Sequence, residues 1–79
     1  MSKTTVTKSI DARGSYCPGP LMELVKAVKS AQTGDVIEVL SSDEGSANDI
    51  PVWAKKMRHE LVYSEKVDDY WKIAIRKIH

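Results

Sequence analysis

The residue with the most evident chemistry is the single cysteine of the chain, Cys17, in the tetrapeptide Cys17-Pro18-Gly19-Pro20. An apolar stripe of helical period begins just after it, which predicts that Cys17 lies at or just before the first residue of a helix. The free N–H groups and the dipole at such an N-terminus favour an anion, so we expect a lowered thiol pKa and a populated thiolate. Pro18 and Pro20 suit a first turn, whose N–H groups have no intrahelical partners, and their rings stiffen the backbone that aims the sulfur.

Other roles for a cysteine at this position are weaker. A lone cysteine is often a small buried apolar residue, but here it lies at a predicted helix start between turn signals. A dithiol oxidoreductase needs a second cysteine where Pro20 stands. A Cys–His hydrolase needs a placed base, and neither His59 nor the terminal His79 has a pattern that places it. The sequence therefore predicts one activated thiol that accepts a group and passes it on.

Asp11 and Gly14, which precede the cysteine, are predicted to shape its loop. We expect Gly14 to adopt a backbone conformation that other residues avoid, and Asp11 to hydrogen-bond the turn. Together with Pro18, Gly19 and Pro20 they form the predicted positioning set.

A second set of residues is predicted to dock partner proteins. Cations near an exposed site aid encounter with an acidic partner. The ordinary alternative for the cations is a solvated helix face, and the ordinary alternative for the tyrosine is a half-buried ring on a loop. The members are aromatic or basic: Arg13, Tyr16, Lys55, Lys56 and Arg58.

Periodicity predicts six elements in the order β-α-β-α-β-β. Threonine-rich sequence favours a first strand over about residues 4–10, and the apolar stripe of the first helix begins at Leu21. Since Gly34 suits a left-handed cap, we expect this helix to end around residues 33–35. A buried strand follows over residues 36–40. Alternating residues in 61–67 and 70–78 predict a closing hairpin with a two-residue turn.

The start of the second helix is predicted from Pro51. A proline past the first turn costs a hydrogen bond, so the expected cap is Asp49, with Pro51 in the first turn. Ile50, Trp53, Ala54 and Met57 form its apolar stripe.

These elements define an α/β fold. A right-handed crossover makes the first two strands parallel, and the hairpin must be antiparallel. Because each helix has one apolar stripe, both can cover the same face of a mixed four-stranded sheet. The predicted architecture is a two-layer α/β sandwich, with Trp53 and Trp71 packed in its core.

Composition narrows the class of protein. A chain of 79 residues with 42% hydrophobic and 29% charged residues is expected to fold as one soluble domain over 1–79. The net charge of +1 argues against direct nucleic-acid binding, which needs many cationic contacts. One cysteine and two histidines predict no metal site, and the chain has no nucleotide-binding motif or other sign of a cofactor. The absence of disulfides and of long apolar runs predicts a cytoplasmic protein that does not enter a membrane.

The order of these residues resembles a known family. Asp11-Ala12-Arg13-Gly14 followed by Cys17-Pro18-Gly19-Pro20 is similar to the D-x-x-G-x-x-C-P-x-P signature of the TusA-like, or SirA-like, sulfur carriers. Asp43, Asp49-Ile50-Pro51 and His59-Glu60-Leu61 also resemble the family, with Asp43 opening its second helix. The family often has Leu at position 15, Pro at 44 and Gly at 58, where this chain has Ser15, Glu44 and Arg58.

The resemblance implies both a fold and an activity. The family fold is the same β-α-β-α-β-β sandwich, like the C-terminal domain of bacterial translation initiation factor three. Its cysteine carries sulfane sulfur as a persulfide, which implies that Cys17 takes sulfur from a cysteine desulfurase or rhodanese-type protein and passes it to an acceptor cysteine. Such a carrier acts in tRNA thiolation, cofactor synthesis or dissimilatory sulfur metabolism, and is a sulfurtransferase-type carrier rather than a stand-alone enzyme. We expect a monomer, since the sulfur must face successive partners.

Two other functions remain open on the sequence. One is a non-catalytic RNA-binding or regulatory module of the same fold, which rests on fold likeness alone. The other is a thiol redox sensor, which would work through a disulfide-linked dimer or a sulfenic acid.

Overall fold

The structure is a computed structural model that describes residues 6–14 and 19–79. Its elements follow the predicted order, with bounds β1 Lys8–Asp11, α1 Gly19–Ser30, β2 Val36–Ser41, α2 Glu44–Lys56, β3 Glu60–Val67 and β4 Tyr70–Arg76. The strands form one sheet in the order β1-β2-β4-β3. β1 is parallel to β2, and the other two pairings are antiparallel, so the predicted mixed sheet is confirmed.

The core lies between this sheet and the two helices. Alternate residues of the two central strands face the helices, and Ile37 and Val39 pair directly with Ile75 and Ile73. The helices contribute buried residues at three- and four-residue spacing, which pack against these strand residues to form the core: Leu24, Ala27, Val28, Ala47, Ile50 and Ala54. Trp53 and Trp71 are partly buried against it, as predicted. Both helices therefore cover one face of the sheet.

The other face of the sheet carries a polar network in the described part of the chain. Glu38 accepts hydrogen bonds from Tyr63 Oη and from Ser9 Oγ, the latter at 3.0 Å. Ala74, which pairs with both Glu38 and Tyr63, is fully buried. Burial and the neighbouring Glu38 carboxylate raise the pKa of Tyr63, so the phenol remains a hydrogen-bond donor across the physiological range.

The end of the first helix differs from the prediction. α1 runs from Gly19 to Ser30 and so ends before residues 33–35. Gly34 does have a positive φ of 95°, but it lies in a turn closed by Asp35 N donating to Gln32 O at 3.0 Å, beyond the helix. The expectation that Gly34 caps α1 is therefore wrong, although its left-handed conformation is right.

The start of α2 predicted from Pro51 is wrong by more than a turn, whereas the start at Asp43 that the family resemblance implies is confirmed. Asp43, not Asp49, is the N-cap, and its carboxylate accepts hydrogen bonds from Ser46 N at 3.1 Å and Ser46 Oγ at 3.0 Å. Pro51 consequently lies inside the helix. The cap and the burial of Ala47 on the extra turn compensate the hydrogen bond that Pro51 cannot make.

α2 ends in a Schellman motif built without glycine. His59 N donates to Ala54 O at 2.8 Å and Arg58 N to Lys55 O at 3.2 Å, the two hydrogen bonds that define this motif. Arg58 occupies the left-handed position with a φ of 61°. The closing hairpin turns through Asp68 and Asp69 as predicted, and Asp68 has a φ of 55°.

Candidate functional site

The candidate site lies at the carboxyl ends of the two parallel strands. β1 and β2 both end at this edge of the sheet, and the chain returns from it into α1 and α2. The N-termini of both helices are therefore at the same edge, which is the usual location of functional groups in sheets with parallel strands. The segment that contains the cysteine joins β1 to α1 here.

The turn that follows β1 is built as the sequence predicts. Asp11 Oδ1 accepts a hydrogen bond from Arg13 N at 3.2 Å, which makes an Asx turn. Gly14 has a φ of 91°, a left-handed conformation that a side chain would strain. Gly14 N also donates to Ser42 Oγ at 2.9 Å, so the turn is fixed to the residue that follows β2.

Arg13 is held in place over the same turn. Its guanidinium makes a two-point ion pair with the Asp11 carboxylate, with both N–O distances at 2.9 Å, and lies 4.9 Å from the ring centroid of Tyr70. These hydrogen bonds from Arg13 lower the pKa of Asp11 to about 2. The side chain of Arg13 is 46% exposed, so a partner can reach it, but its charge is already paired with Asp11.

The start of α1 is anchored by proline. Pro20, the second residue of the helix, is fully buried, while Leu24 one turn later belongs to the core. The first turn of α1 contains no acidic residue, so nothing in it offsets the positive end of the helix dipole. This is the local field that lowers a thiol pKa.

The remaining predicted site residues fall into two groups. Tyr16, Cys17 and Pro18 lie outside the described residues, so their predicted roles stay predictions. The second group lies at the end of α2 and consists of Lys55, Lys56 and Arg58. Glu60 follows this group in the chain and is the strand partner of Arg76, at the sheet edge opposite the candidate site. The structure thus brings Asp11, Arg13 and Gly14 together with the start of α1, and places the α2 cations at the far end of the molecule.

Two residues of the site were missed by the sequence analysis. Ser42 supports the Gly14 turn, and Tyr70 lies under the Arg13 guanidinium. Ser42 is 28 residues from Gly14 along the chain, and only the pairing of β1 with β2 brings them together. The sequence therefore contained no local signal for either contact.

Neither a metal centre nor a membrane span is found in the described part of the chain. Residues 6–14 and 19–79 contain no group of three or more His, Cys, Asp or Glu side chains that could hold a metal ion. None of the helices in these ranges is long and apolar enough to cross a membrane.

Comparisons with known proteins agree with this fold. Residues 8–77 match the family described as Sulfurtransferase TusA. A relative from Archaeoglobus fulgidus, named as a candidate sulfur carrier, is 61% identical over 69 residues, covering 87% of this chain and 94% of the relative. A similarly named relative, YrkI of Bacillus subtilis, is 34% identical over 70 residues, covering 89% of this chain and 93% of the relative.

A solved structure is also similar. The crystal structure of a SirA-like protein from Desulfitobacterium hafniense has a TM-score of 0.80 and 27% sequence identity, covering 92% of this chain and all of the other. The fold and the family match together define the class of protein, a small two-layer α/β sandwich related to sulfur carriers. The chain belongs to the TusA family. Membership implies exchange of sulfur with a donor and an acceptor protein.

Proposed function

We propose that Cys17 carries sulfane sulfur as a persulfide and relays it between two proteins. The single observation that carries the proposal is the position of the only cysteine of the chain, two residues before a helix start, in a family named for sulfur transfer. Because no second thiol is available in the chain, sulfur bound at Cys17 can leave only to another molecule.

The proposed reaction is an exchange without net oxidation. The Cys17 thiolate attacks the outer sulfur of a donor persulfide, the donor S–S bond breaks, and the donor cysteine leaves as a thiolate. An acceptor thiolate then attacks the outer sulfur on Cys17 and regenerates the Cys17 thiolate. Each step forms one S–S bond and breaks one, so no electron acceptor is needed.

The described part of the site supports the reaction in two ways. The start of α1 supplies a positive field, undiminished by acidic residues in its first turn, that favours the thiolate both as nucleophile and as leaving group. The Gly14 turn, fixed to Ser42, and the buried Pro20 hold the two flanks of the cysteine segment. Rigid flanks favour alignment of the transferred sulfur with an incoming thiolate.

Donor and acceptor proteins are proposed as classes. The donor is a cysteine desulfurase or a rhodanese-type protein, and the acceptor presents a reactive cysteine. We propose further that residues 1–79 act as one cytoplasmic domain that visits its partners as a monomer. Direct contact with nucleic acid is not part of the proposal.

The test is sulfur loading followed by mass measurement. Incubation with a cysteine desulfurase, its cofactor and cysteine is expected to add the mass of one sulfur atom per chain, removable by a reductant. Cys17→Ser is expected to abolish the gain while keeping the melting temperature, because serine is a good residue at a helix start. Loading that persists in Cys17→Ser would refute the proposal. A functional form that is a disulfide-linked dimer would favour the redox sensor instead.

A further inference from the structure

The end of the molecule away from the start of α1 holds a pocket. It has a volume of about 450 Å³ and is bounded by the last turns of α1 and α2 and by the residues that follow β4. This volume is in the range of small-molecule sites. The sulfur-carrier proposal makes no use of it.

One wall of the pocket is apolar. It is formed by Val25 and Val28 of α1, by Trp53 of α2 and by Met57, the C-cap residue of α2. Val28 belongs to the buried core, whereas Met57 is 47% exposed. The wall therefore exposes apolar surface that a flat hydrocarbon or an aromatic ring could cover.

The rim of the pocket consists of nitrogen donors. Two lysines and two histidines line it: Lys29, Lys77, His59 and His79. Among the residues that the structure describes, no Asp or Glu side chain lines the pocket. The ring of His59 stacks on that of His79 with centroids 5.0 Å apart. Burial lowers the pKa of His59, and the charges of His79 and Lys77 lower it further.

Donors remain available on this rim. His59 Nδ1 accepts a hydrogen bond from Ile78 N at 3.1 Å, so the proton of the neutral ring is on Nε2. Lys77 Nζ uses one hydrogen to reach Ala31 O at 2.7 Å. For Lys29, the described part of the chain supplies no hydrogen-bond or ion-pair partner.

We propose that this pocket binds a small organic anion with an apolar body. The anionic group would pair with Lys29 and Lys77 and accept from His59 Nε2, while the apolar body packs on Val28 and Trp53. An anion is favoured because it neutralises a cluster of like charges, and the apolar body because it removes the exposed wall from water. The site is independent of sulfur loading.

The test uses 8-anilinonaphthalene-1-sulfonate, an aromatic anion whose fluorescence rises in apolar surroundings. We expect saturable binding of one molecule per chain, with shifts of the His59, His79 and Trp53 ring signals in NMR spectra. The neutral analogue N-phenyl-1-naphthylamine has the same ring system without the sulfonate and is expected to bind at least about tenfold more weakly.

Two charge reversals on α1 provide the matched control. Lys29→Glu is expected to weaken binding of the sulfonate by at least about tenfold, whereas Lys26→Glu, three residues away on an exposed position outside this pocket, leaves it unchanged. Cys17→Ser is expected to bind as the unmodified chain does, so failure here is separate from failure of the sulfur-carrier proposal. Absent saturation, equal affinity for the neutral analogue, equal effects of the two reversals, or NMR shifts elsewhere would overturn the inference.

Discussion

His59 is the residue whose ionisation state most directly affects the far end of the fold. As a neutral ring it accepts the Ile78 N–H, stacks on His79 and lies 5.7 Å from the Trp53 ring. A second proton would occupy Nδ1 and break the bond to Ile78. The environment therefore favours the neutral form, consistent with its lowered pKa.

Stability is expected to fall on mild acidification because of His59. Its folded-state pKa lies below the ordinary value of 6.5, so the unfolded chain binds the proton more readily. The contribution is present above pH 6.5 and is lost as the pH falls below it. Urea unfolding at pH 7.5 and pH 5.5 should give the lower free energy of unfolding at pH 5.5.

The control is His59→Asn, whose side-chain oxygen can replace Nδ1 as the acceptor for Ile78 N but does not titrate. We expect the difference between the two pH values to shrink in this variant. An unchanged difference would assign the pH dependence to other groups and contradict this account of His59.

The backbone at the end of α2 is strained, and the strain can be measured. The left-handed position of a Schellman motif normally holds glycine, and a residue with a Cβ pays about 1 kcal/mol or more there. Arg58 occupies this position with a φ of 61°. The family resemblance, in which glycine is common at this position, points to the same conclusion.

Replacing Arg58 by glycine is expected to stabilise the protein. Arg58→Gly and Arg58→Ala both remove the guanidinium, so their difference isolates the backbone effect. We expect the glycine variant to exceed the alanine variant by about 1 kcal/mol in the free energy of urea unfolding. Equal stabilities would show that the left-handed position carries no strain.

Substitution by alanine is expected to change the stability of the protein in opposite directions at the two helical prolines, Pro20 and Pro51. Pro20 lies in the first turn of α1 and is fully buried, so its replacement is expected to cost stability. Pro20→Ala removes buried carbon and loosens the unfolded chain, for a loss of about 2 kcal/mol and a melting temperature about 10 °C lower. It should also slow sulfur transfer from loaded Cys17, measured in a single turnover well below the melt.

Pro51→Ala is the matched variant. Pro51 lies inside α2, where it cannot donate to the carbonyl four residues earlier, so alanine is expected to raise the free energy of unfolding by about 1 kcal/mol. If both variants lost stability equally, the distinction between an opening and an interior proline would be wrong. A Pro20→Ala variant that transfers sulfur at the original rate would leave Pro20 only a structural role.

Local patterns predicted the elements better than their ends. Both helices and the two central strands carry apolar patterns that survive in the fold, and the type and order of all six elements could be predicted from the sequence. The start of α2 could not, because the hydrogen bond lost at Pro51 is a local cost, while the burial of Ala47 is a tertiary gain. The left-handed turn could be predicted from Gly14 itself, but its hydrogen bond to Ser42 could not.

At the scale of the whole molecule, the topology places the starts of the helices and the end of α2 at opposite ends. The parallel pair β1 and β2 directs the cysteine segment and both helix starts to one edge, and the hairpin returns the chain to the other. The cations Lys55, Lys56 and Arg58 therefore cannot contact the same small surface as Arg13. A partner that touched both sets would have to span the length of the helices.

The charges on the exposed sheet face bear on whether this chain binds RNA. Asp11, Glu38, Glu60 and Glu65 share this face with Arg13, Lys72 and Arg76, by the strand register. This face is mixed in charge and the net charge of the chain is only +1, so we expect few phosphate contacts and little counterion release on binding a nucleic acid. We expect a labelled single-stranded RNA to bind with a Kd weaker than about 100 µM at physiological salt, as measured by fluorescence anisotropy. Micromolar affinity that falls steeply with added salt and is unaffected by Cys17→Ala would contradict this and favour an RNA-binding module.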